Sequence, residues 1–194
     1  TQGSIPDPVQ RAKMSQPPAP SAPFRSFVMG DCHANLVTRA DGTMLVTNQH
    51  PLAPYPKKIT EKLDHWAKVA PDRIWLAARE NGQWRTISYR EGRDQVRRIA
   101  SALLERGLSA ERPLMILSGN DLDHALLGMG ALYAGCAYAP VSPAYSLISS
   151  DHSKLKYMIE LLTPGLIFVA DGKVYERAIA SAIPEDCELI VSQN

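Results

Sequence analysis

From residue 114 to the end of the chain, short apolar runs alternate with amphipathic stretches of helical period. The runs are residues 114–117, 136–141, 166–170 and 188–192. Between the first two, Asp121 caps a helix that runs through Tyr133 and ends at Gly135. Between the next two, Ser150 opens a helix that buries Leu155, Met158, Ile159 and Leu162, and Pro164 ends it. A last helix is expected over 173–182. Strands that alternate with helices of 10–15 residues make βαβ units. Strands that read as unbroken apolar runs suit a parallel sheet covered on both faces, with right-handed crossovers. The fold class is therefore α/β, with repeated βαβ units and a mainly parallel sheet.

Upstream the pattern changes. Two β-rich runs within residues 35–47 flank Asp41-Gly42, which marks a β-hairpin. The link Pro51-Leu-Ala-Pro-Tyr-Pro56 follows. Ile59, Leu63, Trp66, Ala67 and Ala70 then share one helical face, and Pro71 stops that helix. Residues 74–78 read as a strand, and Asn81-Gly82 turns the chain into a second strand over 84–87. Ser88-Tyr-Arg-Glu91 has the capping-box pattern, in which each end residue satisfies the other's backbone amide. The helix behind it presents Val96, Ile99, Ala100, Leu103 and Leu104, with Gly107 at its end.

Three organisational segments result: a leader over 1–26, a hairpin and linker over 27–56, and an incomplete α/β domain over 57–194. Six of the 15 prolines lie within the first 23 residues, which have few large apolar side chains. Such a segment cannot bury enough surface to offset its ordering entropy, so a disordered, proline-rich leader is expected. It has no apolar core of the kind a secretory signal needs. The uncharged stretch 125–141 is shorter than a bilayer requires and contains three glycines and a proline, so no membrane span is expected. The formal charge of +1 lacks the basic excess of a nucleic-acid binder. Cys32, Cys136 and Cys187 are odd in number, widely spaced and form no Cys-x-x-Cys, which points to a reducing, cytoplasmic protein.

Ligands of α/β sheets bind beyond the carboxyl ends of strands, so the strand-to-helix loops carry the candidates. Gly128-Met-Gly130 with Gly135 lies inside a helix, where small residues allow close packing rather than dinucleotide binding. Gly172-Lys173 follows a strand but lacks the earlier glycine and the Ser/Thr of a Walker A loop. There, Lys173 and Arg177 beside helix-start amides form a candidate phosphate contact. Ser118-Gly119-Asn120-Asp121 reads as turn chemistry and a helix cap. The five histidines form no HxxxH or HExxH pair, no Gly-x-Ser-x-Gly elbow exists, and Cys136 starts an apolar strand as a small core residue. No catalytic residue and no metal site are expected within the chain.

Two segments carry more than fold. Thr86-Ile-Ser-Tyr-Arg-Glu91 resembles the first signature of the adenylate-forming superfamily: acyl- and aryl-CoA ligases, luciferases and peptide-synthetase adenylation domains. The segment Gly130-Ala-Leu-Tyr-Ala-Gly-Cys-Ala-Tyr-Ala-Pro-Val-Ser-Pro143 resembles the second, and Trp66-Ala-Lys-Val-Ala-Pro-Asp-Arg73 fits upstream. Arg39-Ala-Asp-Gly-Thr-Met44, the 51–56 link and Ser149-Ser-Asp-His-Ser-Lys-Leu155 resemble the feruloyl-CoA synthetases within it. The resemblance covers residues 27–194.

It implies ATP-dependent activation of an aromatic carboxylic acid, ferulate or a related hydroxycinnamate. An acyl-adenylate forms with release of pyrophosphate, Mg²⁺ offsets phosphate charge, and coenzyme A then displaces AMP. The resemblance places Ser142, Lys173 and Arg177 near a coenzyme A path. The Ser/Thr/Gly-rich phosphate loop, the adenine- and ribose-holding segments and the small C-terminal domain have no counterpart among the 194 residues. With Thr1 at the start and Asn194 straight after a strand, the chain is expected to be an inactive N-terminal piece of such an enzyme. It is also expected to expose a sheet edge and self-associate. The competing readings are a free-standing, non-catalytic α/β ligand- or partner-binding module and a Rossmann- or flavodoxin-type nucleotide domain.

Overall fold

The computed structural model describes residues 33–80 and 82–194. The leader expected over 1–26 lies outside the described residues. The chain divides into two compact units, Thr1–Ala53 and Pro54–Asn194.

The first unit contains an antiparallel hairpin, β1 (Ala34–Thr38) and β2 (Met44–Asn48), in register Thr38↔Met44. Its turn closes through Gly42 N–H to Arg39 C=O, and Asp41 Oδ1 accepts the Thr43 amide at 3.0 Å.

The second unit opens with α1 (Thr60–Val69), an antiparallel pair β3 (Ile74–Glu80) and β4 (Gln83–Ser88), and the long helix α2 (Tyr89–Glu105). The capping box forms as the sequence requires. Ser88 Oγ accepts the Glu91 amide at 3.3 Å, and Glu91 Oε2 accepts the Ser88 amide at 2.8 Å. That amide, together with the Ser88 hydroxyl, holds the Glu91 carboxyl below its usual range. Leu63, Ile87, Val96, Leu122 and Leu126 make one core where α1, β4, α2 and α3 (Leu122–Ala134) meet. Two residues depart from the helical-face reading: Ile59 is 62% and Leu104 54% exposed. Ile59 precedes the first turn of α1, and Leu104 lies in the last turn of α2. Periodicity alone does not register where a helix outruns its neighbour.

The main sheet has four parallel strands in the order β6-β5-β7-β8: Tyr138–Pro140, Leu114–Leu117, Leu166–Asp171 and Glu188–Gln193. Side chains alternate between its faces. Leu114, Ile116, Leu166 and Phe168 pack with Leu103 and Ala131 of α2 and α3. Met115, Leu117, Ile167 and Val169 pack with Leu155, Ile159 and Ala178 of α5 (Ser153–Leu162) and α6 (Glu176–Ala182). Strands covered on both faces explain the unbroken apolar runs.

Helix ends follow the glycine rule. Gly107 takes φ +70° after α2, where Leu108 N–H reaches Leu103 C=O and Gly107 N–H reaches Leu104 C=O. Gly135 repeats the arrangement after α3 through Cys136 N–H to Ala131 C=O. Gly128 and Gly130 are packing residues, as the sequence suggests. A Cβ at Gly130 would sit 2.4 Å from Ile99 Cγ2, and one at Gly128 3.1 Å from the Tyr138 ring.

Three boundaries differ from expectation. The strand placed over 136–141 pairs only at Tyr138–Pro140. A short helix α4 (Pro143–Leu147) follows it, with proline at the first turn. Ser150 does not open α5: Ser149 Oγ accepts the His152 amide, Asp151 Oδ1 accepts the Ser153 amide, and α5 begins at Ser153. The helix expected over 173–182 begins at Glu176.

Candidate functional site: the carboxyl ends of β5, β6 and β7

Strand order decides where a ligand can enter. From β5 the chain passes to β6 on one side and returns across the sheet to β7 on the other. The connections after β5 and β7 therefore diverge, which leaves a crevice at their carboxyl ends. Of the residues expected to matter, Ser142 lines a cleft at this end of the sheet, whereas Lys173 and Arg177 follow β7.

Ser118, directly after β5, is 3% exposed. Its Oγ donates to Gly119 C=O at 3.1 Å and lies 2.8 Å from His124 Nδ1. His124 Nδ1 also lies 3.1 Å from Gly119 C=O, which can only accept. Nδ1 is thus engaged within this loop, and Nε2 is the nitrogen left for a ligand. Asp121 fixes this geometry by accepting the His124 amide at 2.7 Å. Asp123, on the other side of α3, accepts the Ser192 hydroxyl instead. The Asp121–His124 side chains thus splay, as expected, but the Ser118–His124 pair exceeds turn chemistry. No spacing rule signals a serine and a histidine joined across a strand-to-helix loop.

A cleft of about 380 Å³ lies here, lined by Ser118, Asn120, His124, Pro140, Ser142 and Pro143 among others. No side chain in its lining carries a formal negative or lysine/arginine charge. Ser142 caps α4 without a side-chain hydrogen bond, so its hydroxyl is available. Lys173 and Arg177 do not line this cleft; they lie beyond β7, Lys173 in the turn that follows it and Arg177 in the first turn of α6, both exposed. The amides of Lys173 and Val174 are already taken by Asp171 Oδ1, at 2.9 and 3.0 Å. The Val174 amide, with help from Asn194 and Lys173, holds the Asp171 carboxyl below its usual range. Any anion at this rim meets the two cationic side chains, not the backbone amides.

A smaller cleft between the β3–β4 turn and β7 is lined by Glu80, Arg85, Asp121, Asp123 and Asp171, with Arg85 paired to Glu80 at 3.2 Å. Among the described residues no group of three or more His, Cys, Asp or Glu is arranged to hold a metal ion. No glycine-rich loop is present to cradle a triphosphate. Cys136 is buried, its thiol donates to Leu108 C=O at 3.2 Å, and burial pushes it above the usual thiol range. It is a core residue, not a nucleophile. His152 lies within the 149–155 segment, where the sequence assigns it no role. It is 2% exposed, with Nε2 on Ser146 C=O at 3.1 Å and Nδ1 on Ser181 Oγ at 2.6 Å, and so ties α4, α5 and α6 together. Among the described residues, no helix is long and apolar enough to cross a membrane.

Comparison with known proteins puts this scaffold in context. A family model described as "AMP-binding enzyme" matches residues 63–193. Tyrocidine synthase 1 of Brevibacillus parabrevis is 30% identical over 114 residues, 58% of this chain and 10% of that protein. Acyl-CoA synthetase ACTT5 of Alternaria alternata is 28% identical over 107 residues, 53% of this chain and 18% of that one. The fold superposes on a fatty acyl-adenylate ligase from L. pneumophila, solved with acyl adenylate and pyrophosphate. The TM-score is 0.57 at 18% identity, over 70% of this chain and 23% of that one. It also superposes on a luciferase-like enzyme of the mealworm Zophobas morio, with a TM-score of 0.55 at 22% identity, over 71% and 32% of the two chains. The chain thus spans less than a third of each of these proteins.

Proposed function

The chain belongs to the AMP-binding enzyme family, whose model covers 63–193, and from that premise we propose that its protein is an AMP-forming acid–CoA ligase. The chain supplies the first α/β layers of the large domain. The observation that carries the reading is the family match across both signatures, together with an open crevice where β5 and β7 diverge.

In this reading a carboxylate attacks the α-phosphate of ATP, pyrophosphate leaves, and the acyl-adenylate is then taken by a thiol. The acid is aromatic, ferulate or a related hydroxycinnamate, on the resemblance of residues 39–44, 51–56 and 149–155. The acceptor is coenzyme A. Its uncharged arm suits the neutral cleft beside Ser142, and Lys173 and Arg177 offer positive charge to its phosphates. The free thiols Cys136 and Cys187 suit a reducing cytoplasm. ATP and Mg²⁺ are held by parts of the protein other than the residues described.

A second reading rests on the match to tyrocidine synthase 1: an adenylation unit that hands its acyl group to a carrier protein. The acceptor distinguishes the two. The complete gene product should convert ferulate and coenzyme A to the thioester. Adenylate formation without transfer to coenzyme A would overturn the ligase reading in favour of the second.

A further inference from the structure

His152 is buried, and each of its polar groups is spent inside the fold. Its amide donates to Ser149 Oγ at 3.0 Å, and its carbonyl accepts the Lys156 amide in the first turn of α5. On the ring, Nε2 lies 3.1 Å from Ser146 C=O and Nδ1 lies 2.6 Å from Ser181 Oγ. With neither nitrogen left for a ligand, the imidazole acts only through what it holds. Its backbone takes φ +53° and ψ +25°. That left-handed conformation is uncommon outside glycine. Glycine would relieve the backbone here, but it would leave Ser146 and Ser181 without the ring that spans them. A backbone held in an uncommon conformation by surrounding bonds points to a side chain needed at that place.

The two ring partners stand at matched positions. Ser146 lies in α4, one turn after Ser142, which caps that helix. Ser181 lies in α6, one turn after Arg177. Residues four apart share a helix face and lie about 6 Å apart along the axis. Both helices start at the carboxyl end of a strand, α4 after β6 and α6 after β7. Each end of the imidazole thus grips a helix one turn below a residue assigned to the coenzyme A path. Ser146 supplies only its carbonyl to this tie, because its own buried hydroxyl has no hydrogen-bond partner. We propose that His152 is a positioning residue: by holding α4 to α6 it fixes the spacing of Ser142 and Arg177 at the carboxyl end of the sheet. The tie between the helices stands on the geometry alone, and its consequence for coenzyme A rests on the ligase reading.

Hydrogen exchange read by mass spectrometry on the complete gene product tests the tie, and steady-state kinetics test its consequence. His152→Leu keeps a side chain of comparable size without either ring contact. Residues 143–149 and 176–182 are expected to exchange faster together, with α2 unchanged. KM for coenzyme A is expected to rise about two- to tenfold, the factor carried by one net hydrogen bond, with KM for ATP unaltered. A general loss of stability would instead loosen α2 as well and would not single out coenzyme A. Ser146→Ala, which keeps the carbonyl, is the control and should match the wild type in both measurements. Should His152→Leu fail to fold, Ser181→Ala decides: it removes only the Nδ1 contact and is expected to shift the same two quantities in the same direction. Unchanged exchange in the two segments overturns the proposal. So does an unaltered KM for coenzyme A in a protein that makes the thioester. A protein that adenylates an acid but transfers none to coenzyme A fails the ligase reading instead, and the exchange of the two segments then decides the tie by itself.

Discussion

Gly130 is the sharpest test of how this chain is packed. A methyl group there would stand 2.4 Å from Ile99 Cγ2, 3.0 Å from Ile99 Cβ and 3.5 Å from the Val96 carbonyl oxygen. Rotating the Ile99 side chain moves Cγ2 but leaves Cβ in place, so relief requires α2 and α3 to separate. Overpacking of this kind costs about 1–3 kcal/mol. Ala in place of Gly in a helix interior returns about 1 kcal/mol. The net expectation for Gly130→Ala is a destabilisation of about 1 kcal/mol, within a range of about 0–2 kcal/mol set by those two effects. For a domain of this size that lowers Tm by roughly 2–4 °C. Gly128→Ala is the internal comparison. Its methyl would meet the Tyr138 ring at 3.1 Å, a contact eased by a shift of a few tenths of an ångström, so the helix-propensity gain should leave it neutral or slightly stabilising. Urea unfolding followed by far-UV circular dichroism measures both. Combining Gly130→Ala with Ile99→Ala should cost less than the sum of the single changes, because the first methyl fills space the second opens. A Gly130→Ala chain more stable than wild type, or strict additivity with Ile99→Ala, would refute a close helix crossing at this glycine.

Other consequences are simpler to state. Ser88→Ala removes the cap of α2 and should cost about 1 kcal/mol in the same unfolding assay. The Glu91, Asp151 and Asp171 carboxyls are each held low by backbone amides, from Ser88, Ser153 and Val174 respectively. Their contribution is present above the unfolded carboxylate range near pH 4 and is lost as pH falls through the lower folded values. Stability should therefore drop on acidification below about pH 4, and Glu91→Gln should flatten part of that drop. Cys136 should react with a thiol reagent only on unfolding, with Cys187 reacting sooner; equal rates would contradict the burial described. In the complete gene product, Lys173→Glu with Arg177→Glu should raise KM for coenzyme A several-fold and leave ATP–pyrophosphate exchange unchanged. An unaltered KM removes both residues from the coenzyme A path.

The legible part of this fold is local. Ser88 and Glu91 announce a helix start because their side chains satisfy each other's amides within four residues. Gly107 and Gly135 announce helix ends because the left-handed conformation is needed there. The apolar runs announce strands buried on both faces. What escaped the sequence depends on contacts between distant residues. The strand order 6-5-7-8, which creates the crevice, is set by how helices pack on the sheet and not by any strand's own composition. His152 looks like any loop histidine, yet Ser146 and Ser181 enclose it. The helix α4 is too short to show a period. At the candidate site, Ser142 stands within the segment that resembles the second signature and lines the cleft. The Ser118–His124 pair was not legible, because its partners join through a turn whose geometry no residue spacing encodes.

The most direct test of the central claim is acid-dependent exchange of labelled pyrophosphate into ATP by the complete gene product, with ferulate as the acid. The account predicts exchange that requires ferulate, together with thioester formation once coenzyme A is added. An absence of exchange with ferulate, other hydroxycinnamates, fatty acids and amino acids alike would contradict it.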